Sequence, residues 1–290
     1  MSAQGRAAAP SAESVGDLIA RSLAGQQAES VAESVARADR GPPALALVGP
    51  IERIAVFRAL MLGDLLCAVP ALRSLRQAFP AARISLIGLP WAQALVERLS
   101  CVDEFMAFPG WPGLPERACD FAAVPEFFAG AQAQRFDLAI QLHGSGPIVN
   151  ALVAGLGARQ SAGFRSDGAW WPPEETARYA PWPEHGHEIE RLLTLVDWLG
   201  LARCGSQLEF PLFEDDRRAL RGVWTEWPLA RPYACIHAGA QLASRRWPLA
   251  RFAAVADALA EQGLTVVLTG SAQEAALTDA LATRMRRPAV

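Results

Sequence analysis

Short apolar runs alternate with amphipathic stretches along the chain from Arg53 onwards. Between these runs apolar residues recur at helical spacing, first from Leu65 to Phe79, and this spacing predicts helices. Such alternation is typical of βα units around a mainly parallel sheet, so the pattern predicts an α/β fold. The predicted strands of the first series are residues 53–60, 82–89, 104–108, 136–142 and 159–164.

A second series of elements follows a change in composition near residue 214. The apolar run EFPLF and the charged segment EDDRRALRGVWTEW come after a predicted helix at 188–201, and together they suit a connection between domains. Only two strands are predicted beyond this connection, whereas a stable open sheet normally has about four to six, so the second unit is predicted to be incomplete. Its predicted elements are strands at 233–239 and 264–270, a helix from Pro248 to about Gln262, and a helix from about Ala272.

These patterns divide the chain into three parts. Residues 1–50 are rich in Ala, Ser, Gln and Glu, and they are predicted to form a flexible N-terminal extension. Residues 51–213 are predicted to form one α/β domain, and residues 214–290 a second, partial one.

The composition is that of a globular protein, with 51% hydrophobic and 20% charged residues. The chain has neither an apolar run of the roughly 20 residues that a membrane span requires nor the pattern of a signal peptide, so a cytoplasmic protein is predicted. A formal net charge of −3 offers no electrostatic surface for nucleic acid.

All 27 basic residues are arginines, which restricts the chemistry open to the protein. A phosphate or other anion must be bound by arginine, helix N-termini or backbone N–H groups, and Schiff-base chemistry on lysine is excluded. The five cysteines form no C-x-x-C pair and are predicted to be isolated buried thiols, without a zinc site or disulfides. His185 and His187 have no further ligand at suitable spacing, so no metal is predicted.

Asp64 is an isolated carboxylate in the stretch RALMLGDLL, where a predicted strand gives way to a predicted helix. Aspartate is a common N-cap that stabilises a helix by about 1 kcal/mol, and capping is the first interpretation. The alternative is a functional role, because open parallel sheets bind ligands at the carboxyl ends of their strands. The pattern alone does not choose between the two.

Three segments resemble glycosyltransferase family 9, the ADP-heptose:lipopolysaccharide heptosyltransferases and their relatives. They are residues 54–88 with the motif LGD and Pro70, residues 136–164, and residues 233–274 with the motif S-R-R-W-P. The resemblance extends over residues 53–285. It implies a GT-B fold, in which two Rossmann-like domains with mainly parallel sheets bind the acceptor and the nucleotide sugar respectively.

The same resemblance implies roles for particular residues. Asp64 would be the general base of an inverting transfer, with Gly63 keeping the approach open, and it would also cap its helix. No D-x-D motif is present, so protein groups rather than a cation would bind the diphosphate. The implied donor-binding residues are His237, Gly239, Ala240, Ser244, Arg245, Arg246 and Glu274, although Glu274 is equally interpreted as a helix-opening acid.

The acceptor side is implied to include the segment QLHGSGP, which ends one predicted strand. His143, Gly144 and Ser145 would line the cleft, and a tight glycine turn without a ligand is the alternative. The family's later D-T-G-x-x-H segment has no counterpart here, so a truncated chain is predicted.

The implied function is metal-independent transfer of a heptose from ADP-heptose to the lipopolysaccharide inner core. The implied partners are this nucleotide sugar and a glycolipid acceptor, with contact at the cytoplasmic face of the inner membrane; no cofactor is expected. Two alternatives stay open: transfer of another nucleotide sugar to a different surface glycan, and a non-catalytic domain that only binds nucleotide or acceptor.

Overall fold

The computed structural model of the chain describes residues 49–223, 232–240 and 242–290. Residues 1–48, and with them nearly all of the predicted extension, lie outside the described part. The chain divides into two compact units, the first ending at Pro211 and the second running from Leu212 to Val290. The division falls two residues before the predicted boundary at 213.

The first unit is a six-stranded, all-parallel sheet with helices between its strands. The strands lie in the order β3-β2-β1-β4-β5-β6, which is the doubly wound order of a Rossmann fold. Its elements are β1 Arg53–Phe57, α1 Leu62–Ala78, β2 Arg83–Gly88, α2 Gln93–Val96, β3 Glu104–Ala107, α3 Val124–Ala133, β4 Leu138–Gln141, α4 Val149–Gly155, β5 Gln160–Arg165, β6 Tyr179–Pro181 and α5 Glu188–Trp198.

Both faces of this sheet are buried, which explains the continuous apolar runs of the inner strands. On β1, Ile54 and Val56 pack with α1 and α5 on one face. Ala55 and Phe57 point to the opposite face and pack with apolar residues of α3 and α4. The alternation of side chains along a strand therefore divides the core into two layers.

A helix at Glu214–Val223 occupies the charged segment that was predicted to be a connection, and strand β6 is a second element that the pattern does not predict. This strand is three residues long, ends in Pro181, and pairs with β5 at the edge of the sheet. A three-residue segment shows no periodicity, and proline is a weak strand former that is tolerated at an edge. The predicted first strand, 53–60, is also too long, because the ladder ends at Phe57.

The second unit has two parallel strands and three α-helices among its described residues. Its central helix starts at Leu249, one position after the predicted start, and Pro248 is the N-cap. Beyond β8, the backbone of Val290 pairs with Val266 and Leu268, with N···O distances of 2.9 and 2.8 Å. The elements are α6 Glu214–Val223, β7 Tyr233–His237, α7 Leu249–Glu261, β8 Thr265–Thr269 and α8 Ala275–Ala282.

Two further features bear on the predictions from composition. Cys101 is buried, but Cys235 is exposed and the other three cysteines are half-buried, so the prediction of buried thiols is wrong for most of them. No helix in the described part of the chain has the length and apolarity needed to cross a membrane.

Candidate functional site

The strand order of the first sheet reverses between β1 and β4, which are neighbours in the sheet although β2 and β3 lie between them in sequence. Ligands of doubly wound folds bind at this reversal point, outside the carboxyl ends of the strands. The segments that leave β1 and β4 there are residues 58–64 and residues 142–146. These segments contain all the residues that were predicted for the first unit, namely Gly63, Asp64, His143, Gly144 and Ser145.

Asp64 is the third residue of α1, and its side chain is exposed. The N-cap of α1 is Met61 and no side chain caps the helix, so the prediction of Asp64 as a cap is wrong. The extended connection after β1 delivers the chain to the helix three residues earlier than a cap at Asp64 requires. Within residues 49–211 its carboxylate has no hydrogen-bond or ion-pair partner, and it lies in the first turn, where the helix dipole favours negative charge.

The space beside this carboxylate is open. Gly63 is exposed, and a Cβ atom added there would meet no heavy atom within 4 Å. Met61 and Leu62 at the start of the helix are also largely exposed, at 48% and 44%. A hydroxyl-bearing ligand can therefore reach Asp64 without displacing any side chain of the first unit.

His143 is buried at the start of the segment that leaves β4. Its Nδ1 accepts the backbone N–H of Ala59 at 3.1 Å, so the proton of the neutral ring is on Nε2. The ring lies 5.1 Å from that of Phe57, and Nε2 is 3.9 Å from Oε2 of Glu116, a buried oxygen without a hydrogen bond in the described structure. Burial, and secondarily the charge of Arg58, lowers the pKa of His143 to about 4. His143 therefore positions the β1 loop as a neutral ring.

The low pKa of His143 predicts a loss of stability on acidification. The ordinary value is 6.5, so the unfolded chain binds the proton more tightly and the folded state is progressively destabilised as the pH falls from about 6.5 to about 4. Between pH 7 and pH 5 this group should remove about 2 kcal/mol of unfolding free energy. His143→Asn, whose amide oxygen can still accept the Ala59 N–H, should lose correspondingly less in denaturant titrations at the two pH values; equal losses would contradict the assignment.

The turn after His143 is held by the side chain of Gln141. Its Oε1 accepts the backbone N–H of His143 at 2.9 Å, and its Nε2 donates to the carbonyl of Gly144 at 2.9 Å. Gly144 has a φ of 84° and Gly146 a φ of 108°, both in the left-handed region that favours glycine. Ser145 lies between them, half-buried. A fixed glycine turn is therefore present beside His143.

In the second unit the loop after β7 meets the start of the helix after β8. Oε1 of Glu274 lies 3.8 Å from Nε2 of the half-exposed His237. A Cβ on Gly239 would come within 1.7 Å of the same oxygen, so only glycine allows this approach. Oε2 of Glu274 accepts the backbone N–H and hydroxyl of Ser271 at 2.8 and 2.9 Å, and these bonds lower the pKa of Glu274. Glu274 is thus a capping-box residue that also faces the loop.

The remainder of this loop presents its cations to solvent. Nε of Arg246 donates to the carbonyl of Ala240 at 2.9 Å and closes the loop. Ser244 and Arg245 lie in the short 3₁₀ helix Ala243–Arg245, and both are exposed. No ion pair or hydrogen bond of the Arg245 side chain occurs within residues 232–240 and 242–290. Arg245 therefore offers an exposed guanidinium without an anionic partner among these residues.

The predicted residues thus form two groups, one in each unit. Three further residues of the first unit contact the predicted ones, although the sequence did not single them out. They are Arg58, Glu116 and Gln141. In the sequence, Arg58 could have been noticed as a charged residue directly after an apolar run. Among the described residues, no group of three or more His, Cys, Asp or Glu side chains could hold a metal ion.

Comparisons with known proteins agree with this description. A family model for glycosyltransferase family 9 (heptosyltransferase) matches residues 127–290, more than half of the chain. Lipopolysaccharide heptosyltransferase 3 of Escherichia coli (strain K12) is 27% identical over 227 residues, which are 76% of this chain and 64% of that protein. The chain thus spans less than two thirds of this relative. Asp64 lies outside the region that the family model matches.

Solved structures resemble the chain as well. A family 9 glycosyl transferase from Veillonella parvula DSM 2008 has a TM-score of 0.69 at 20% identity, covering 82% of this chain and 69% of its own. The E. coli heptosyltransferase WaaC with ADP-2-deoxy-2-fluoro heptose has a TM-score of 0.58 at 20% identity, covering 79% and 73%. These likenesses confirm the predicted α/β fold class of the GT-B type.

Proposed function

The chain belongs to glycosyltransferase family 9, and we propose on that premise that it transfers a heptose from ADP-heptose to a lipopolysaccharide inner-core acceptor. The observation that carries the proposal is the exposed Asp64 carboxylate, which has open space beside it at the reversal point of the first sheet. The named relative is a lipopolysaccharide heptosyltransferase, and that supports the choice of sugar and acceptor.

The proposed reaction is an inverting displacement. Asp64 accepts the proton of the acceptor hydroxyl while that oxygen attacks the anomeric carbon of the heptose. The bond from the anomeric carbon to the diphosphate breaks on the opposite face, and ADP leaves with the electron pair. Charge that develops on the diphosphate requires preorganised donors.

On the donor side, we propose that Arg245 and the backbone of the loop after β7 bind the diphosphate. Arg245 is exposed and has no carboxylate partner in the described part of the second unit, so its guanidinium is available for a bidentate contact. Glu274 and His237, which lie close together beside Gly239, would contact hydroxyl groups of the nucleotide sugar.

Replacing Arg245 by alanine should weaken the binding of ADP roughly 10- to 100-fold, the effect of one charge-assisted contact. Arg251→Ala is the matched control, since Arg251 is an exposed arginine on the following helix, stacked 5.9 Å from the Trp247 ring. Calorimetric titration with ADP, UDP and GDP measures both affinity and base preference. Wild-type affinity for ADP in Arg245→Ala would contradict the proposed donor site. A preference of the wild type for UDP or GDP would contradict ADP-heptose as the donor.

The proposed setting is the cytoplasmic face of the inner membrane, where a glycolipid acceptor would be presented. No metal ion or cofactor enters the proposed reaction, because the loop after β7 supplies the positive charge. If another nucleotide sugar were the donor, the same residues would carry out the same displacement, so the panel of nucleotides tests this part of the proposal.

A further inference from the structure

Arg58 is an arginine buried in the first unit, directly after β1. Its residue exposure is 1% and its side-chain exposure is 0%. Arginine is among the residues least often buried completely, and it is usually paired when it is. Nothing in the proposed displacement uses Arg58, so its burial at the reversal point of the sheet needs a separate explanation.

The guanidinium of Arg58 connects three segments to the end of β1. Its Nε and Nη2 both donate to the backbone carbonyl of Asp64, at 3.0 and 2.7 Å. Its Nη1 donates to the carbonyl of Leu142, which follows β4. Its Nη2 also pairs with Oε1 of Glu188, at the start of α5, at 3.0 Å. We call this set of contacts the Arg58 clamp.

The clamp acts on the backbone of Asp64 and leaves the carboxylate free. The side chain of Asp64 has no partner within residues 49–211, so the position of its carboxylate follows from the position of the first turn of α1. That turn has no side-chain N-cap, which removes the usual means of holding a helix start. The two hydrogen bonds from Arg58 hold this turn in a different way, because they bind the Asp64 carbonyl and not the free N–H groups that a cap would bind.

The electrostatic cost of this arrangement argues against a purely space-filling role. Burial lowers the pKa of Arg58, and Glu188 is the main group that opposes this effect. The other oxygen of Glu188, Oε2, accepts a hydrogen bond from Nη1 of Arg191 at 2.7 Å, so Arg58 does not have this carboxylate to itself. An apolar side chain of similar volume would fill the same space without desolvating a charge. What it could not supply is a rigid fork of donors to two carbonyls.

We propose that Arg58 is a positioning residue that, with Glu188, holds the Asp64 backbone in register with the end of β4, so that the carboxylate meets the acceptor hydroxyl. This inference rests on the proposed function. Arg58 does not touch substrate, because its side chain is inaccessible and its donors are directed to backbone carbonyls and Glu188. Its effect on transfer is therefore exerted through the geometry of Asp64.

The test compares Arg58→Lys with Arg203→Lys in the complete reading frame that encodes the chain. Lysine keeps the charge, but as a single point donor it cannot hold the Asp64 and Leu142 carbonyls together. Arg203 is the matched control, since it pairs with Glu190 and Asp197 on the same helix as Glu188 and contacts neither carbonyl. We expect Arg58→Lys to lower kcat about 100-fold, as for a displacement of about 1 Å. The KM for acceptor and the Kd for ADP should stay unchanged, and Arg203→Lys should keep wild-type kcat.

Hydrogen–deuterium exchange gives a measurement that does not depend on activity. Amides of residues 59–68 should exchange at least about tenfold faster in Arg58→Lys, while the strands keep their protection. If the wild type transfers no sugar, the proposed function fails and exchange alone decides the role of Arg58. Unchanged exchange and kcat in Arg58→Lys, or exchange that rises across the whole sheet, would overturn the inference. If Arg58→Lys does not fold, the same measurements of kcat and hydrogen–deuterium exchange on Glu188→Gln test the inference. The expected loss of kcat is then smaller.

Discussion

Changing Asp64 to asparagine is expected to lower the rate of sugar transfer by about 10²- to 10⁴-fold, the usual contribution of a general base. Asparagine is nearly isosteric but cannot accept the proton of the acceptor hydroxyl. The stability of the fold should change by less than about 1 kcal/mol, because Asp64 is not the cap of α1 and only its interaction with the helix dipole is lost.

Asp167→Asn is a suitable control for this substitution. Asp167 is an exposed carboxylate two residues after β5, at the same edge of the sheet as Asp64. The measurement is kcat for each variant, with thermal unfolding and the Kd for ADP recorded in parallel. Wild-type turnover by Asp64→Asn would remove the general-base role, and equal losses in both variants would indicate a general effect of charge at this edge.

Changing Gly146 to alanine is expected to destabilise the first unit by about 3 kcal/mol. Its φ of 108° is unfavourable for an L side chain. A Cβ there would also lie 2.4 Å from Nδ2 of Asn150 and 2.7 Å from the carbonyl oxygen of Phe164. These two groups are hydrogen-bonded to each other at 3.0 Å, so neither can move away without breaking that bond. Strain and overpacking therefore add together.

Gly144→Ala separates the two contributions. Gly144 also has a positive φ, 84°, but a Cβ there would meet no atom within 4 Å. We expect it to cost about 1 kcal/mol, from backbone strain alone. Denaturant titration of both variants measures the difference, and equal losses would show that the Asn150–Phe164 contact does not restrict this turn.

The fold was largely predictable because its strands are buried on both faces. Residues 54–57 and 138–140 are apolar in succession, and helical spacing follows each, so the parallel α/β architecture is visible in the pattern. The limits of the elements were less predictable. Arg58 reads as part of the first strand, yet its backbone leaves the ladder with β4 at Phe57, and its side chain points to groups that the local sequence does not reveal.

The candidate site was predictable only where a residue type carries its own chemistry. Asp64 and Arg245 stand out as a carboxylate and a cation at strand-to-helix turns. The Arg58 clamp depends on Leu142 and Glu188, which are 84 and 130 residues away in sequence, and no local pattern records such contacts. Likewise, the close approach of the Glu274 carboxylate to Gly239 is brought about only by the fold.

The most direct test of the central claim is a transfer assay with the complete reading frame, ADP-heptose and a heptose-deficient lipopolysaccharide acceptor, without added metal ion. The account predicts incorporation of heptose with inverted anomeric configuration and release of one ADP per sugar transferred. Transfer from a different nucleotide sugar would keep the displacement and correct the donor. A folded protein that binds ADP yet transfers no sugar from any nucleotide donor would contradict the account.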